Sequence, residues 1–417
     1  MKKKKHIFPK IKWQKMMRSQ NPNPFLIVGA GPVGMVLAIL LLKNGIKPVI
    51  IDKRASTAKL PRAINLSGET LEILKEINCL DAVFEKGKIL KKINIFWNKE
   101  RISSIQGKYF QNQSPYFFHI EQLEMEKIML NHLKEKNIEI LTEHELIQIS
   151  ENNSDFVETK IKNKKNNQIK NETWCYVIGC DGAQSIVRKQ LQLSGASREY
   201  DAYFILADVT LIGDRSALDH LDYFFTEQGY FIYAPLPEKK SRLIFSFKGR
   251  FSAEIFSTIS EKKLEEWIKE RSGLDCVIEK IHWSTGSDFY HQIFQHAGSD
   301  RVFLAGDSLH QFSPVFGTNM NMGIADAYCL AKLISGEQAD PVLAMKDYEQ
   351  QRLKAAFHNL SITEWATEVM TQTRTANAEE KIFLSILGNK NILREILPKL
   401  FSTKINIDFI NRMKNHA

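Results

Sequence analysis

Residues 26–52, LIVGAGPVGMVLAILLLKNGIKPVIID, decide how this chain folds. An apolar run ends at a glycine-rich turn, a stretch with helical periodicity follows, and a second apolar run ends in an acid. This order predicts a strand over 25–29, a helix over 32–43 and a strand over 47–52. Two strands joined through a helix predict an α/β fold with a parallel sheet.

The turn between the first strand and the helix carries the pattern Gly-x-Gly-x-x-Gly. The missing side chains allow a tight turn, close approach of a pyrophosphate and close packing of the helix on the strand, and the helix N-terminus faces the phosphates. Asp52 ends the second strand, 23 residues after Gly29, where a carboxylate accepts hydrogen bonds from ribose hydroxyls. The pattern predicts a Rossmann-like dinucleotide site formed by Gly29, Gly31, Pro32, Val33, Gly34, Asp52 and Lys53.

Two further strand-turn-helix junctions lie far downstream. In YVIGCDGAQSIVRKQL, residues 176–191, an apolar strand ends in Gly-Cys-Asp-Gly and a helix begins near Gln184. Taken alone, this junction is a connection in which Asp181 caps the helix. In RVFLAGDSLHQFSPVFGTNMNMG, residues 301–323, a strand again ends in Gly-Asp, and a loop of Pro, Gly, Thr and Asn leads into a helix from about 319.

The composition is that of a globular protein. The chain has 417 residues, of which 43% are hydrophobic and 10% aromatic, so it can bury a core in one large domain or in two to three ordinary ones. The formal net charge is +9, but residues 1–18 hold seven Lys and one Arg and no acid. The rest of the chain is therefore nearly neutral, and its charge gives no indication of nucleic-acid binding.

Residues 1–24 are predicted to form a basic mobile arm. Lys interrupts its apolar residues every few positions, so the arm lacks the continuous apolar core of a signal peptide. Three interpretations stay open: residues 1–18 contact an anionic membrane surface peripherally, they form a solvated extension, or they follow from an upstream start ahead of Met16 or Met17. No apolar run reaches the roughly 18 residues that a membrane span needs.

The cysteines predict a cellular compartment rather than a metal site. None of the five forms a Cys-x-x-Cys pair, and most lie in apolar contexts. Buried thiols indicate a reducing cytoplasm, so the predicted location is the cytoplasm, with peripheral contact at the inner face of the membrane as the alternative. Cys175 and Cys180 lack a His at zinc spacing, and we predict no metal site.

Beyond the first unit, hydrophobic periodicity divides the chain into regions. Helices are predicted over 66–77 and 121–135, and strands over 138–178. From about 197 to 283 apolar and polar residues alternate, which predicts a mainly antiparallel sheet with one covered face. Helical periodicity returns after 319 and continues nearly to the C-terminus.

The three junctions together resemble the class A flavin-dependent aromatic hydroxylases, the para-hydroxybenzoate hydroxylase-like family. Their order and spacing match over about residues 25–352. Three motifs in order are more specific than one glycine pattern. Beyond the first junction, the matching residues are Arg62 in LPRAINLSGETLEIL, Gln122, Asp181, Ser185, Arg188, Gly306, Asp307, His310, Pro314, Gly317, Asn321, Tyr348 and Glu349.

The resemblance implies a glutathione reductase-like, Rossmann-like FAD-binding domain with an inserted, mainly antiparallel substrate domain and C-terminal helices. The expected FAD-binding domain comprises residues 25–89, 108–196 and 284–345. The expected substrate domain comprises residues 90–107 and 197–283, and the C-terminal helices occupy 346–417.

The implied activity is that of an FAD-dependent monooxygenase. NADPH or NADH, bound only transiently, reduces FAD, and a flavin C4a-hydroperoxide then transfers oxygen to an electron-rich carbon of an aromatic or polyketide-like small molecule. The sequence holds no second Gly-x-Gly-x-x-Gly pattern. This agrees with a family that binds the nicotinamide cofactor without a second Rossmann domain.

The resemblance also assigns FAD contacts to the second and third junctions. Asp307 accepts hydrogen bonds from ribityl hydroxyls, and the amides of 319–321, backed by a helix dipole, stabilise negative charge at flavin N1 and the C2 carbonyl. The assigned residues are Arg62, Gln122, Asp181, Gly306, Asp307, Pro314, Gly317, Thr318, Asn319, Met320 and Asn321.

The third junction departs from the family pattern. Ser308 and Leu309 stand where two small residues are usual, and Phe316 and Asn319 stand where the family carries Gly. Asn tolerates positive φ, so Asn319 is expected to preserve the backbone. Phe316 is expected to narrow the cavity, to alter flavin movement or, at the extreme, to disrupt the site. Asp52 in place of the commoner Glu is a mild change.

The substrate is expected between the flavin and the alternating sheet, under DYFFTEQGYFIYAPL, residues 222–236. The residues predicted to line its pocket are Tyr223, Phe225, Phe231, Tyr233 and Phe316. The alternative is that these aromatics form the covered face of a sheet. His220 and His291 are candidates for helping to deprotonate a phenol, but the sequence identifies no catalytic base.

Two alternatives to a hydroxylase of aromatic or polyketide-like compounds stay open. The basic arm favours a membrane-associated hydroxylase of a quinone precursor. The unusual loop at Phe316 favours a flavin-binding protein without hydroxylase turnover. A halogenase is disfavoured because the sequence lacks a Gly-Trp-x-Trp-x-x-Pro segment. The sequence predicts no oligomeric state.

Overall fold

The computed structural model describes residues 23–56, 63–106, 118–153, 155–213, 219–314, 317–335, 341–371 and 389. Their strands are β1 (Asn23–Val28), β2 (Val49–Asp52), β3 (Asn65–Leu66), β4 (Lys88–Ile89), β5 (Lys92–Trp97), β6 (Glu100–Gln106), β7 (Phe118–His119), β8 (Ile140–Thr142), β9 (His144–Asn152), β10 (Val157–Asn163), β11 (Ile169–Gly179), β12 (Gly195–Ile212), β13 (His220–Thr226), β14 (Gly229–Pro235), β15 (Lys240–Lys248), β16 (Val277–Phe294), β17 (Gly298–Ser299), β18 (Val302–Leu304) and β19 (His310–Gln311). Their helices are α1 (Pro32–Lys43), α2 (Gly68–Glu76), α3 (Leu80–Lys86), α4 (Gln122–Glu135), α5 (Ile186–Gln190), α6 (Ala253–Ser257), α7 (Glu261–Ser272), α8 (Asn319–Ile334) and α9 (Pro341–Met370).

The first sheet brings the three junctions side by side. Its strand order is β17-β18-β11-β1-β2-β8, and β18, β11, β1 and β2 pair in parallel. The strands that precede the three glycine turns are therefore adjacent, and their carboxyl ends meet at one edge. The predicted β-α-β unit is confirmed, with α1 over the predicted residues.

Main-chain hydrogen bonds continue the parallel pairing into the turns. The amide of Cys180 donates to the carbonyl of Val28 at 2.8 Å, and the amide of Ala305 donates to the carbonyl of Gly179 at 3.0 Å. The Ser308 hydroxyl adds a 2.6 Å hydrogen bond to the Gly179 carbonyl. Ser308, the departure from the expected small residue, thus ties the third turn to the second.

The second sheet is mainly antiparallel, as the alternation predicts. Its order is β19-β16-β12-β15-β14-β13-β5-β6, and within it β5 and β13 are parallel. Helices α6 and α7 interrupt the region where alternation predicted only strands. Strands β12 and β16 run across the predicted domain boundaries at 196/197 and 283/284, so they link the two layers. The division into domains stays a prediction.

Helix α1 is buried on nearly all sides, which explains its continuously apolar sequence. It begins at Pro32, whose fixed φ suits the first helical position, and it packs against α4 and α8. No helix among the described residues is long and apolar enough to cross a membrane. The described residues also hold no His, Cys, Asp and Glu group suited to a metal, and the five cysteines are free thiols.

A buried cluster of charged residues fixes the position of the third turn. The Asp326 carboxylate lies 2.7 Å from His310 Nε2 and 2.6 Å from Arg352 Nε, and it accepts a 2.9 Å hydrogen bond from the Gly306 amide. Asp326 is fully buried. Burial works to raise its pKa, but His310, Arg352 and the Gly306 amide hold the pKa at about 2. His310 therefore orders the turn through Asp326.

We predict that Asp326→Asn lowers the free energy of unfolding by about 3–5 kcal/mol at pH 7, because the Arg352 charge stays buried without its partner. Urea unfolding measures this, and Asp275→Asn, which removes an exposed ion pair with Lys269, should change little. Equal effects of the two substitutions would contradict the prediction.

The same pair of proteins gives a pH test. The folded-state pKa of Asp326 lies below its ordinary 3.8, so its stabilising contribution is present above about pH 4 and is lost as the pH falls through about 2. The difference between wild type and Asp326→Asn should therefore shrink by about 2 kcal/mol on acidification. A difference that grows as the pH falls would show the opposite sign.

Candidate functional site

One cavity of about 1060 Å³ runs between the carboxyl edge of the first sheet and one face of the second. All three turns reach it, through Gly31, Asp181 and Asp307. The second sheet contributes apolar and aromatic side chains to the opposite wall. This arrangement can hold a long ligand along the turns and a second, apolar ligand against the sheet.

The glycines of the first turn have different tasks. Gly29 has φ +107°, and a Cβ there would lie 2.3 Å from the carbonyl oxygen of Cys180 in the neighbouring turn. A Cβ on Gly34 would lie 2.1 Å from the carbonyl oxygen of Gly29. A Cβ on Gly31 would meet no atom of the described residues within 4 Å, and Gly31 lines the cavity. Gly29 and Gly34 thus permit packing, while Gly31 leaves room for a ligand beside the uncapped N-terminus of α1.

Asp52 lies at the same end of the cavity, held by Arg54. Its carboxylate accepts hydrogen bonds from the Ala30 amide, the Arg54 amide and the Arg54 guanidinium at 2.6 to 2.9 Å. Burial works to raise the pKa of Asp52, but the Arg54 and Ala30 hydrogen bonds lower it below its ordinary value. Asp52 is therefore ionised. A ribose hydroxyl that donates a hydrogen bond to its carboxylate must replace hydrogen bonds from Arg54.

Asp181 serves both as a helix cap and as a cavity residue. Its Oδ2 accepts a 2.7 Å hydrogen bond from the Ile186 amide at the start of α5, where Ser185 is the N-cap. Its Oδ1 is buried and finds no hydrogen-bond partner in the part of the chain that the structure describes. Burial raises the pKa of Asp181 against the hydrogen bonds that it accepts. Arg188 in α5 donates to the Ser308 carbonyl, which joins the second turn to the third.

The third turn is shaped by Gly317 and Asn319. Gly317 carries the positive φ, +62°, whereas Asn319 is the first residue of α8. The expectation that Asn319 replaces a glycine at positive φ is therefore wrong. Its side chain instead accepts a 2.8 Å hydrogen bond from the Phe312 amide and donates one of 2.8 Å to the Phe312 carbonyl, which ties Phe312 to the start of α8.

Three orphaned acceptors test whether FAD fits. Asn65 Oδ1, Asp181 Oδ1 and Gln311 Oε1 are buried and have no hydrogen-bond partner among the described residues, and all three residues line the cavity. FAD brings the matching donors: ribose and ribityl hydroxyls, the adenine amino group and flavin N3–H. Together with the open space at Gly31 and the amides that begin α1 and α8, these acceptors fit FAD.

The structure brings most of the predicted cofactor residues to this cavity. Those that line it are Gly29, Gly31, Pro32, Val33, Asp52, Lys53, Gln122, Asp181, Asp307, Pro314, Gly317, Asn319 and Met320. Four further predicted residues lie outside the cavity lining: Gly34, Gly306, Thr318 and Asn321. The Asn321 side chain bonds Ser67, Thr70 and Asn65, and Thr318 bonds Asn359. Arg62 and Phe316 lie outside the described residues.

The predicted substrate wall needs a correction in β14. Tyr223 lines the cavity. Phe225 stacks on the Tyr223 ring but is not itself a lining residue. Phe231 and Tyr233 face the other side of the sheet, where they pack in the cluster that contains Trp267. The turn of two residues between β13 and β14 pairs Tyr223 with Ile232, so odd-numbered residues of β13 share a face with even-numbered residues of β14.

Sequence reasoning therefore missed the residues that β14 presents to the cavity. The turn length between the strands was the signal that could have found them. Other missed residues come from strands whose register no local pattern sets. The missed lining residues include Tyr230, Ile232, Ala234, Phe204, Arg242, Trp283 and His119.

Neither histidine proposed as a base belongs to the cavity lining. His291 is buried, its Nδ1 lies 2.9 Å from the Tyr200 hydroxyl, and burial lowers its pKa. His220 lies 3.5 Å from Asp222 on the other face of the sheet. The catalytic base therefore stays unassigned.

Comparison with known proteins agrees with this geometry. Residues 23–362 match the family model described as FAD binding domain. The rifampicin monooxygenase of Rhodococcus hoagii is 24% identical over 393 residues, which cover 92% of this chain and 79% of the relative.

Solved structures show the same fold. The p-nitrophenol 4-monooxygenase of Pseudomonas putida DLL-E4 superposes with a TM-score of 0.79 at 19% identity, covering 92% of this chain and 99% of that one. An aklavinone-11 hydroxylase solved with FAD and aklavinone gives a TM-score of 0.69 at 17% identity, covering 86% and 71%. The chain belongs to the FAD-binding domain family, and it is a flavin-dependent monooxygenase that uses FAD and NAD(P)H.

Proposed function

We propose that this enzyme hydroxylates an aromatic or polyketide-like small molecule held between the three turns and the second sheet. The observation that carries the proposal is the cavity of about 1060 Å³, with the three turns on one side and an apolar, aromatic wall on the other. Relatives named for rifampicin and for 6-methylpretetramide, together with the aklavinone complex, support a polycyclic substrate.

FAD would lie along the carboxyl edge of the first sheet. Gly31 and the start of α1 would hold the pyrophosphate, Asp52 the ribose, and Asp307 the ribityl chain, while the amides that begin α8 would face the redox end. When bound, FAD supplies the redox chemistry: it takes electrons from NAD(P)H and activates O₂.

The chain itself supplies a dry, shaped site. Leu221, Ile232 and Ile244 form an apolar surface, and Tyr223 and Tyr230 add rings with hydroxyls. Burial raises the pKa of both tyrosines far above the ordinary value, so they stay neutral hydrogen-bond donors at physiological pH. A wall of this kind excludes water and orients an aromatic ring.

The basic arm supports a second, separate proposal: peripheral attachment of this cytoplasmic enzyme to a membrane, as a quinone precursor would require. Residues 1–18 lie outside the described residues. Deleting them and measuring binding to anionic liposomes tests the attachment, and unchanged partitioning would contradict it.

We predict that the purified holoenzyme oxidises NADPH faster in the presence of a hydroxylated aromatic ligand, and that the product gains one oxygen atom from O₂. NADPH oxidation followed by absorbance, with mass spectrometry of the product under ¹⁸O₂, measures both. A yellow protein without stimulated oxidation across a broad phenol panel would instead favour a flavin-binding protein without turnover.

A pair of glycine substitutions tests the FAD position. Gly31→Ala should fold normally, because its Cβ meets no described atom within 4 Å and the φ of −80° suits Ala. It should nevertheless weaken FAD binding at least tenfold, about 1.4 kcal/mol. Gly29→Ala should destabilise the fold itself by about 1–3 kcal/mol or more, because φ is positive and Cys180 blocks the Cβ.

FAD titration of the apoprotein and thermal unfolding separate the two effects. Unchanged FAD affinity in a folded Gly31→Ala protein would place the pyrophosphate elsewhere.

A further inference from the structure

His119 is a buried titratable residue of the cavity that the function above does not use. It is 2% exposed and lies on the short strand β7, between β3 and β4. In these two strand pairs, His119 lies opposite Asn65 of β3 and Lys88 of β4. Its Nδ1 lies 3.0 Å from the carbonyl oxygen of Pro235, at the end of β14. The imidazole is therefore held from two sheets at once.

This contact decides which nitrogen carries the proton. A carbonyl oxygen only accepts hydrogen bonds, so Nδ1 must donate, and neutral His119 keeps its lone pair on Nε2. Nε2 makes no hydrogen bond with the part of the chain that the structure describes. It is nevertheless not a fully buried atom without a partner, so it keeps some exposed surface. Since His119 lines the cavity, Nε2 is open to a ligand as an acceptor.

The surroundings keep His119 neutral. Burial, together with the nearby charges of Arg242 and Lys88, lowers its pKa to about 4, and the Pro235 hydrogen bond only partly opposes these effects. Arg242 itself is paired with Asp208 at 2.7 and 2.8 Å, so this corner of the cavity holds an ion pair rather than a lone cation.

His119 also lies where the two halves of the cavity meet. Its strand partner Asn65 accepts a 3.0 Å hydrogen bond from Asn321, and a Cβ built on Gly317 would lie 3.6 Å from Asn65 Cβ. On its other side, Pro235 follows Ala234 of the sheet wall. A substrate held between the third turn and the sheet therefore passes this imidazole.

We propose that His119 is a specificity-determining residue whose Nε2 accepts a hydrogen bond from an un-ionised hydroxyl of a neutral aromatic substrate. The inference rests on the proposed function and deepens it. An acceptor with a fixed lone pair favours an O–H donor. It makes no hydrogen bond with an ether, which has no donor, and it repels a carboxylate. The paired Arg242 gives a carboxylate no compensating charge.

The same reasoning excludes His119 as the base that ionises the substrate. A phenol has a pKa of about 10, so transfer of its proton to an imidazole with a pKa of about 4 is unfavourable by about a million-fold. His119 therefore selects and orients the hydroxyl without removing its proton.

The test uses the FAD-loaded enzyme and three matched ligands: 2-naphthol, 2-methoxynaphthalene and 6-hydroxy-2-naphthoate. Dissociation constants come from the change in flavin absorbance on titration. Wild type should bind 2-naphthol about two- to tenfold more tightly than the ether, the value of one neutral hydrogen bond, and more tightly than the carboxylate.

The key variant is His119→Asn, whose amide can still donate to Pro235 but lacks the Nε2 acceptor. It should bind 2-naphthol and the ether equally. His282→Asn, the same change at an exposed histidine outside the cavity lining, should keep the wild-type ratio. FAD content and thermal unfolding check that both variants are folded; if His119→Asn does not fold, His119→Leu, whose side chain has no hydrogen-bond acceptor, takes its place.

Each outcome decides the proposal. A preference for 2-naphthol that disappears only in the His119 variant supports it. No preference in wild type, no binding of 2-naphthol, or a preference that survives in the folded His119 variant overturns it. Stimulated NADPH oxidation is measured on the same samples: its absence with the binding preference intact counts against the proposed function and leaves the role of His119 standing.

Discussion

The parallel pairing of β1, β11 and β18 is the constraint on which the rest of the structure depends. Their turns lie far apart along the chain, yet hydrogen bonds from Cys180 to Val28 and from Ala305 to Gly179 place the turns at one edge. Close approach of backbone to backbone is possible there because Gly29 has no side chain. The buried Asp326 carboxylate then fixes the third turn from behind.

The two sides of the cavity have different physical characters. The turns offer amides, ionised Asp52 and orphaned acceptors, which suit a charged, hydroxylated cofactor. The sheet offers aromatic rings, neutral tyrosines and an ion pair that is already closed between Arg242 and Asp208. The turns of the first sheet thus supply polar groups for FAD, and the second sheet supplies an apolar surface for the substrate. His119 lies where these two layers meet.

Two departures from the family pattern, Ser308 and Asn319, make structural contacts. Ser308 links the third turn to the second, and Asn319 ties Phe312 to the start of α8. Both use side-chain hydrogen bonds where a smaller residue would make none. The turn can therefore keep its place at the sheet edge with a different set of supports.

The sequence by itself determined the β-α-β unit, the identity of the three turns and the antiparallel character of the second sheet. These are local properties, because periodicity and glycine spacing act within a few residues. The face that β14 presents follows from the two-residue turn before it, a local signal. Only the tertiary structure decided that the three turns are adjacent and that His119 meets Pro235. Strand order and register depend on contacts between distant segments, which no local pattern encodes.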